Sequence, residues 1–218
     1  IIGGFSNTIC TNGVYTEAGK TGTIFRAQKS IISLGYCNIV SRSSNSRILA
    51  SNCSSITNQS NNSVIIGGQL NCITCFSSNN TIISGSCNMI GWTAAPAGLG
   101  NGQVGSGGSL ILGGDFNCVA LGGYSDRNTI LGGRFSSITS YTFDGAIVRS
   151  TCGRLGSRSN ENFILGGYGN CVEGTNWSVG NNVNNFRNSI LFGTGNKNTQ
   201  QFTDKHNQHT LIIGGMFN

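Results

Sequence analysis

The chain has one proline in 218 residues, two histidines, two tryptophans and only 9% charged residues. An ordinary globular domain carries about 25% charge, so a coiled coil laced with ion pairs and a disordered polyelectrolyte are both excluded. No apolar run approaches the roughly 18 residues a helix needs to span a bilayer, and no helical membrane insertion is expected. Glycine lacks the every-third-residue period of collagen. Thirteen basic residues against seven acidic ones give a net charge of +6, but they are scattered. The nearest thing to a basic cluster, Arg149, Arg154 and Arg158, lacks the aromatics that interleave such residues in nucleic-acid-binding elements, so nucleic acid is not expected as a partner.

Catalytic and metal chemistry are equally thin. The acids Glu17, Asp115, Asp126, Asp144, Glu161, Glu173 and Asp204 are dispersed, whereas glycoside cleavage needs two carboxylates about 5 to 9.5 Å apart. Serines abound, but His206 and His209 are the only histidines and no G-x-S-x-G elbow is present. Cys72 and Cys75 form a lone CxxC with no second pair at zinc spacing. Gly105 to Gly108 lacks the lysine of a phosphate loop. No catalytic residue, cofactor or metal site is assigned, and the chain is not expected to be an enzyme.

What the sequence does have is turn chemistry and repetition. Glycine (34), asparagine (28) and serine (27) together fill 89 of the 218 positions. The segment Ser63 to Ile73 (SVIIGGQLNCI) recurs with small changes. Taking Ile65 as the anchor, equivalents fall at Ile1, Ile32, Ile48, Ile82, Ile111, Ile130, Ile147, Ile164, Ile190 and Ile212. The spacings are 31, 16, 17, 17, 29, 19, 17, 17, 26 and 22, a base period near 17 broken by four longer excursions.

Each copy reads as strand, turn, strand. A short apolar run such as Leu110-Ile111-Leu112 is followed by Gly-Gly pairs such as Gly67-Gly68, Gly113-Gly114, Gly132-Gly133 and Gly166-Gly167, which are free to take φ > 0 where the chain corners. Six residues past the anchor stands a small polar residue in most copies, Asn71, Asn117 and Asn170 among them. Such a residue suits a turn, and equivalent asparagines stacked from copy to copy can form side-chain ladders. About 17 residues at roughly 3.3 Å each trace a path near 56 Å, enough to circle a flattened coil and return one strand spacing higher. The expected fold is all-β: a parallel β-solenoid of about eleven rungs, with the anchor isoleucines stacked as an internal column. It forms one repetitive segment over 1–218, interrupted near 11–29, 91–108, 173–187 and 198–209. Ile1 stands mid-repeat and Asn218 at a turn position, so the segment is expected to be an excerpt of a longer fibre.

The nine cysteines fall largely into two columns. Cys37, Cys53, Cys87 and Cys152 share the position of Leu70, Phe116 and Phe135, and Cys72, Cys118 and Cys171 share another, two residues on. If the first column faces inward, its cysteines act as small buried hydrophobes; disulfides between rungs or chains are the alternative. Asp115 and Arg134 share a repeat position, which predicts a surface ion pair across adjacent rungs. Asn52, Asn58, Asn61, Asn79 and Asn176 match the N-glycosylation pattern, as chance allows in so asparagine-rich a chain.

The string Asn62 to Ile73 (NSVIIGGQLNCI) resembles the head repeat of YadA-type trimeric autotransporter adhesins, whose consensus is close to N-S-V-A-I/L-G-x-x-S-x-A. Asn128 to Ile138 and Asn162 to Val172 are more similar to repeats of phage and large-virus tail fibres and spikes, with runs such as I-G-G-G-x-x-N-x-A. The period here is longer than in the bacterial heads, and isoleucine stands where alanine is usual. The resemblance implies a β-roll or β-helix that associates as a homotrimer into a stiff stalk or head. It implies a virion-surface fibre segment that supports host attachment, contacting other fibre components and a host glycan or protein receptor. The alternatives are the head of an adhesin on a bacterial cell surface and a polysaccharide-degrading spike. Solenoid insertions often carry the binding face; the excursions hold Tyr15, Phe25, Trp92, Trp177, Phe186 and Phe202, of which Tyr15, Trp92, Trp177 and Phe202 are the candidate receptor or glycan contacts.

Overall fold

The computed structural model describes residues 1–2, 6–10, 29–74, 77–91, 107–121, 126–139, 142–156, 159–166, 168–174, 185–186, 189–192, 194–195, 197–200 and 211–213. Every strand pairing among them is parallel, and the described chain is a β-solenoid with a period of about 17 residues.

Two ten-stranded sheets run the length of the coil. The first is built from the anchor segments: Ile31–Tyr36, Arg47–Asn52, Val64–Ile66, Thr81–Ile83, Leu110–Leu112, Thr129–Leu131, Ala146–Val148, Phe163–Leu165, Ser189–Leu191 and Leu211–Ile213. Its register matches anchor to anchor throughout, Ile32 on Ile48, Ile65 on Ile82, Ile111 on Ile130, and so to Ile190 on Ile212. A bridge from Ile2 to Ser33 extends the series toward the N-terminus. The second sheet stacks the return strands, from Thr8–Cys10 through Cys72–Ile73 and Cys118–Leu121 to Lys197–Gln200.

The core lies between them. Ile32, Ile48, Ile65, Ile82, Ile111, Ile130, Ile147, Ile164 and Ile190 are fully buried, facing Val40, Ile56, Ile73, Ile90, Val119, Ile138, Leu155 and Val172 of the second sheet. Each rung thus contributes about two β-branched or leucine side chains to a column one strand spacing apart. Full burial of such a side chain is worth about 1.5 to 3 kcal/mol. The side chain of Ile212 lies outside the described residues.

The corners contain a second, polar core. Asn38, Ser54, Asn71, Asn88, Asn117, Ser136 and Asn170 are buried. Each oxygen in this column accepts from the backbone N–H of its equivalent on the next rung: Asn38 to Ser54, Ser54 to Asn71, Asn71 to Asn88, Asn88 to Asn117 and Asn117 to Ser136, at 3.0 to 3.1 Å. The asparagine amides donate onward to carbonyls, as Asn88 Nδ2 does to Gly114 O at 2.9 Å. A parallel column two residues before the anchors repeats the device through Ser46, Ser63, Asn80, Ser109 and Asn128. Buried backbone at a corner cannot reach water, so these side chains supply the partners that the strand ladders do not.

Left-handed backbone belongs to the neighbours of those asparagines. Non-glycine residues take positive φ in three columns, two past the anchor (with Leu34, Ala50, Ser84 and Arg149 beside Gly67, Gly113, Gly132 and Gly166), five past it (Cys37, Cys53, Leu70, Cys87, Phe116, Phe135, Cys152) and three before it (Asn45, Asn62, Asn79, Arg127, Asp144, Glu161), and glycine alone does so three past it (Gly35, Gly68, Gly85, Gly114, Gly133). Such φ costs a non-glycine residue roughly 1 to 2 kcal/mol. Stacking offsets the cost, since most of these residues donate their N–H to the preceding rung, as Leu70 does to Asn52 O at 2.9 Å and Phe116 to Ser86 O at 2.9 Å. In chain order, each of the four long excursions falls between a return strand and the next anchor strand.

Candidate functional site

Tyr15, Trp92, Trp177 and Phe202 lie outside the described residues, as do Gly167, Cys75, Arg158, His206 and His209. The described surface offers three arrangements, of which the sequence did not single out the first.

The first is an apolar row on the outer face of the anchor sheet. Side chains alternate across a strand, so an inward anchor forces the following residue outward. That residue is Leu49, Ile66, Ile83, Leu112, Leu131, Val148, Leu165 and Leu191 on successive rungs, with Ser33 the one polar member before them. Ile66 and Leu112 are 38% and 43% exposed, and the rest of the row is half-buried by its stacked neighbours. Among the described residues the flanking positions on this face contribute only Arg47 and Arg149 as charges. The pairing of two apolar residues in each Ile-Ile or Ile-Leu was the available signal, because the core needs only one of them.

The second is the corner five past the anchor, where the cysteine column faces outward. Cys53 and Cys152 are exposed, Cys37 and Cys87 half-buried, and Leu70, Phe116 and Phe135 about half exposed. The expectation of inward cysteines in this column is therefore corrected. It assumed unbroken strand alternation, whereas left-handed φ at each of these residues turns the side chain out and leaves the following asparagine buried. The phenyl rings of Phe116 and Phe135 stack at 5.2 Å and 19°. Asp115 and Arg134 are register neighbours as expected, but the ion pair is not made; the Arg134 guanidinium lies 5.0 Å over the Phe135 ring. The ion pair that forms among the described residues is Arg127 to Asp144, bidentate at 2.8 Å and exposed. It raises the arginine pKa through those hydrogen bonds and then the carboxylate charge.

The third is thiol chemistry. Of the second cysteine column, Cys118 is buried and Cys72 and Cys171 half-buried. Burial pushes the Cys118 thiol up to about 12, with Cys72 adding to the shift. Cys37 and Cys53 occupy adjacent rungs beside Tyr36, whose hydroxyl pKa is raised first by its hydrogen bond to Cys37 and then by the charges of both thiols. Among the described residues no cluster of three or more His, Cys, Asp or Glu side chains is placed to hold a metal. Of the basic trio, Arg149 sits at an exposed corner and Arg154 on a return strand, so the described pair faces different sides of the coil.

No protein-family model matches the chain, and no curated protein matches it. What the fold defines by itself is the class: a parallel β-solenoid with a polar-laddered interior and an apolar outer row.

Proposed function

We propose that the chain is a structural rod, a β-solenoid segment of a homotrimeric fibre on a virus or phage surface that holds an attachment end toward the host. The observation that carries this reading is the outward apolar row. Isoleucine and leucine facing water along successive rungs have no role in the monomer's core, and an exposed apolar patch of this extent marks an interaction surface.

The occupant is a second copy of the same chain. A row of side chains repeating at one strand spacing is complementary along its length to another row with the same repeat. Ten strands spaced about 4.8 Å apart make a row about 43 Å long, and strands that are mostly three residues, or about 10 Å, wide give roughly 440 Å², to which the corners on either side add. A stable interface takes about 800 Å² from each partner. The excursions interrupt the chain between a return strand and the next anchor strand rather than within the anchor strands that carry the row, and Tyr15, Trp92, Trp177 and Phe202 in them are the residues we assign to a host glycan or protein receptor.

Light scattering on the native chain tests the reading. The expected mass is about three times 22.8 kDa, and the double variant Ile66→Lys with Leu112→Lys is expected to be a monomer with unchanged circular dichroism. A monomeric wild-type chain would overturn the fibre assignment. If the trimer holds, unchanged cell binding by Trp92→Ala and Trp177→Ala would remove the excursions from the attachment role.

A further inference from the structure

Cys37 and Cys53 are the one place in the described corner column where two thiols occupy consecutive rungs. Tyr36 pairs in register with Asn52, and the Cys53 N–H donates to Tyr36 O at 2.6 Å, so the two cysteines follow matched positions of adjacent strands. Both have φ of 51° and both are free thiols, Cys53 exposed and Cys37 half-buried. Elsewhere the column places Leu70, Phe116 or Phe135 beside each remaining cysteine. The Tyr36 hydroxyl donates to Cys37 from the same outer surface.

Strand spacing decides which chemistry suits the pair. Side chains leaving adjacent rungs in parallel are held about 4.8 Å apart. A disulfide needs its sulfurs about 2.05 Å apart and its Cβ atoms within about 3.5 to 4.5 Å, so closing one would tilt both side chains toward each other and out of their parallel course. Two metal–thiolate bonds of about 2.3 Å each span about 4.6 Å in a line, which matches the rung spacing without moving the backbone. Thiolates in low coordination select soft cations, the cuprous ion among them.

We propose that Cys37 and Cys53 form a two-coordinate site for a soft, thiophilic cation, bridging adjacent rungs at an exposed corner. Binding converts two thiols and one cuprous ion into a bis-thiolate complex and releases both thiol protons to solvent, with no change of oxidation state.

The test is an anaerobic titration of the full reduced chain with cuprous ion against a chromophoric competitor. Native mass spectrometry and sulfur-to-copper absorption in the near ultraviolet report binding. The first equivalent is expected to bind wild type and Cys152→Ser alike, and Cys37→Ser or Cys53→Ser is expected to weaken it roughly a hundredfold or more. Serine at an exposed corner spares the core, and circular dichroism checks that each variant folds. First-equivalent affinity that is unchanged in Cys37→Ser and Cys53→Ser overturns the site. So does a reduced chain that binds no cuprous ion but joins Cys37 to Cys53 when treated with oxidised glutathione, which would assign the pair to disulfide chemistry.

Discussion

Gly67 and Gly68 adjoin in the chain and have similar backbone, φ 67° and 76°, yet a methyl group added to each would meet opposite surroundings. At Gly67 nothing lies within 4 Å. At Gly68 the new carbon would collide with the Gly85 carbonyl oxygen and the Asn71 amide. The other rungs follow the same division. The Gly67 position accepts Leu34, Ala50, Ser84, Arg149 and Phe192, all at positive φ, whereas the Gly68 position holds only glycine or serine among the described rungs. The first glycine serves conformation alone; the second also makes room.

That room is shared. Gly35, Gly68, Gly85 and Gly114 each stand three residues before a buried asparagine, Asn38, Asn71, Asn88 and Asn117. Where serine replaces the glycine, the asparagine has shrunk: Ser51 is followed by Ser54, with their hydroxyls 2.6 Å apart, and Ser150 by Gly153. Two serines contain as many side-chain atoms as one asparagine, so the corner is filled to close packing by either solution. Gly68→Ala is expected to cost about 3 kcal/mol or more from the collision, and Gly67→Ala about 1 kcal/mol from conformation alone, read as midpoints of urea unfolding. Adding Asn71→Ser to Gly68→Ala should recover part of the loss. Equal costs for the two glycines would break the distinction between them.

Interior and exterior asparagines sharpen the comparison at a smaller scale. Asn117 is buried and accepts from Ser136 N at 3.0 Å while donating to Gly133 O at 3.4 Å. Asn62 is exposed at an outer corner and accepts from Asn45 Nδ2 at 3.1 Å. Asn117→Leu keeps the shape but strands a buried N–H and a buried carbonyl, and is expected to cost about 2 kcal/mol. Asn62→Leu is expected to change stability by about 0.5 kcal/mol or less. Chemical denaturation of both variants checks the gap, and a cost for Asn62 matching that of Asn117 would deny the ladder its role.

The period and the inward isoleucines were legible because stacked copies must bury the same position on every rung, and only the anchor carries isoleucine without exception. The ladder residues were legible as small polar residues at a fixed offset, though their burial was not. What stayed hidden was the left-handed conformation five past the anchor. Cysteine, phenylalanine and leucine occupy it, and none of them signals positive φ. Only the hydrogen bonds to the neighbouring rungs hold them there, and those are absent from any single copy. That one misreading turned a cysteine column inward. The missed ion pair of Asp115 with Arg134 has a different cause: the register was right, but the aromatic faces at the next position gave the guanidinium an alternative.

Cys118 and Cys53 carry the contrast between covered and open positions to its smallest expected effect. Cys53 is exposed, and Cys118 is buried, which pushes its thiol up from the ordinary range near 9.0 to about 12. A raised thiol pKa means the folded state disfavours the thiolate. The stabilising contribution is fully present below about pH 9, and it is lost between about pH 9 and 12 as the unfolded chain ionises first. At pH 10 the loss from this one group is about 1 kcal/mol. Cys118→Ser removes the titrating group and puts at that position the residue that Ser55 and Ser137 already supply in the same column. Its stability should therefore fall less steeply than wild type between pH 8 and 10, in urea unfolding at each pH. Iodoacetamide should label Cys53 in the folded chain and reach Cys118 only at the rate of opening. If the two thiols were alkylated at the same rate, the cover that buries Cys118 on the outer face of the return sheet would be missing in solution.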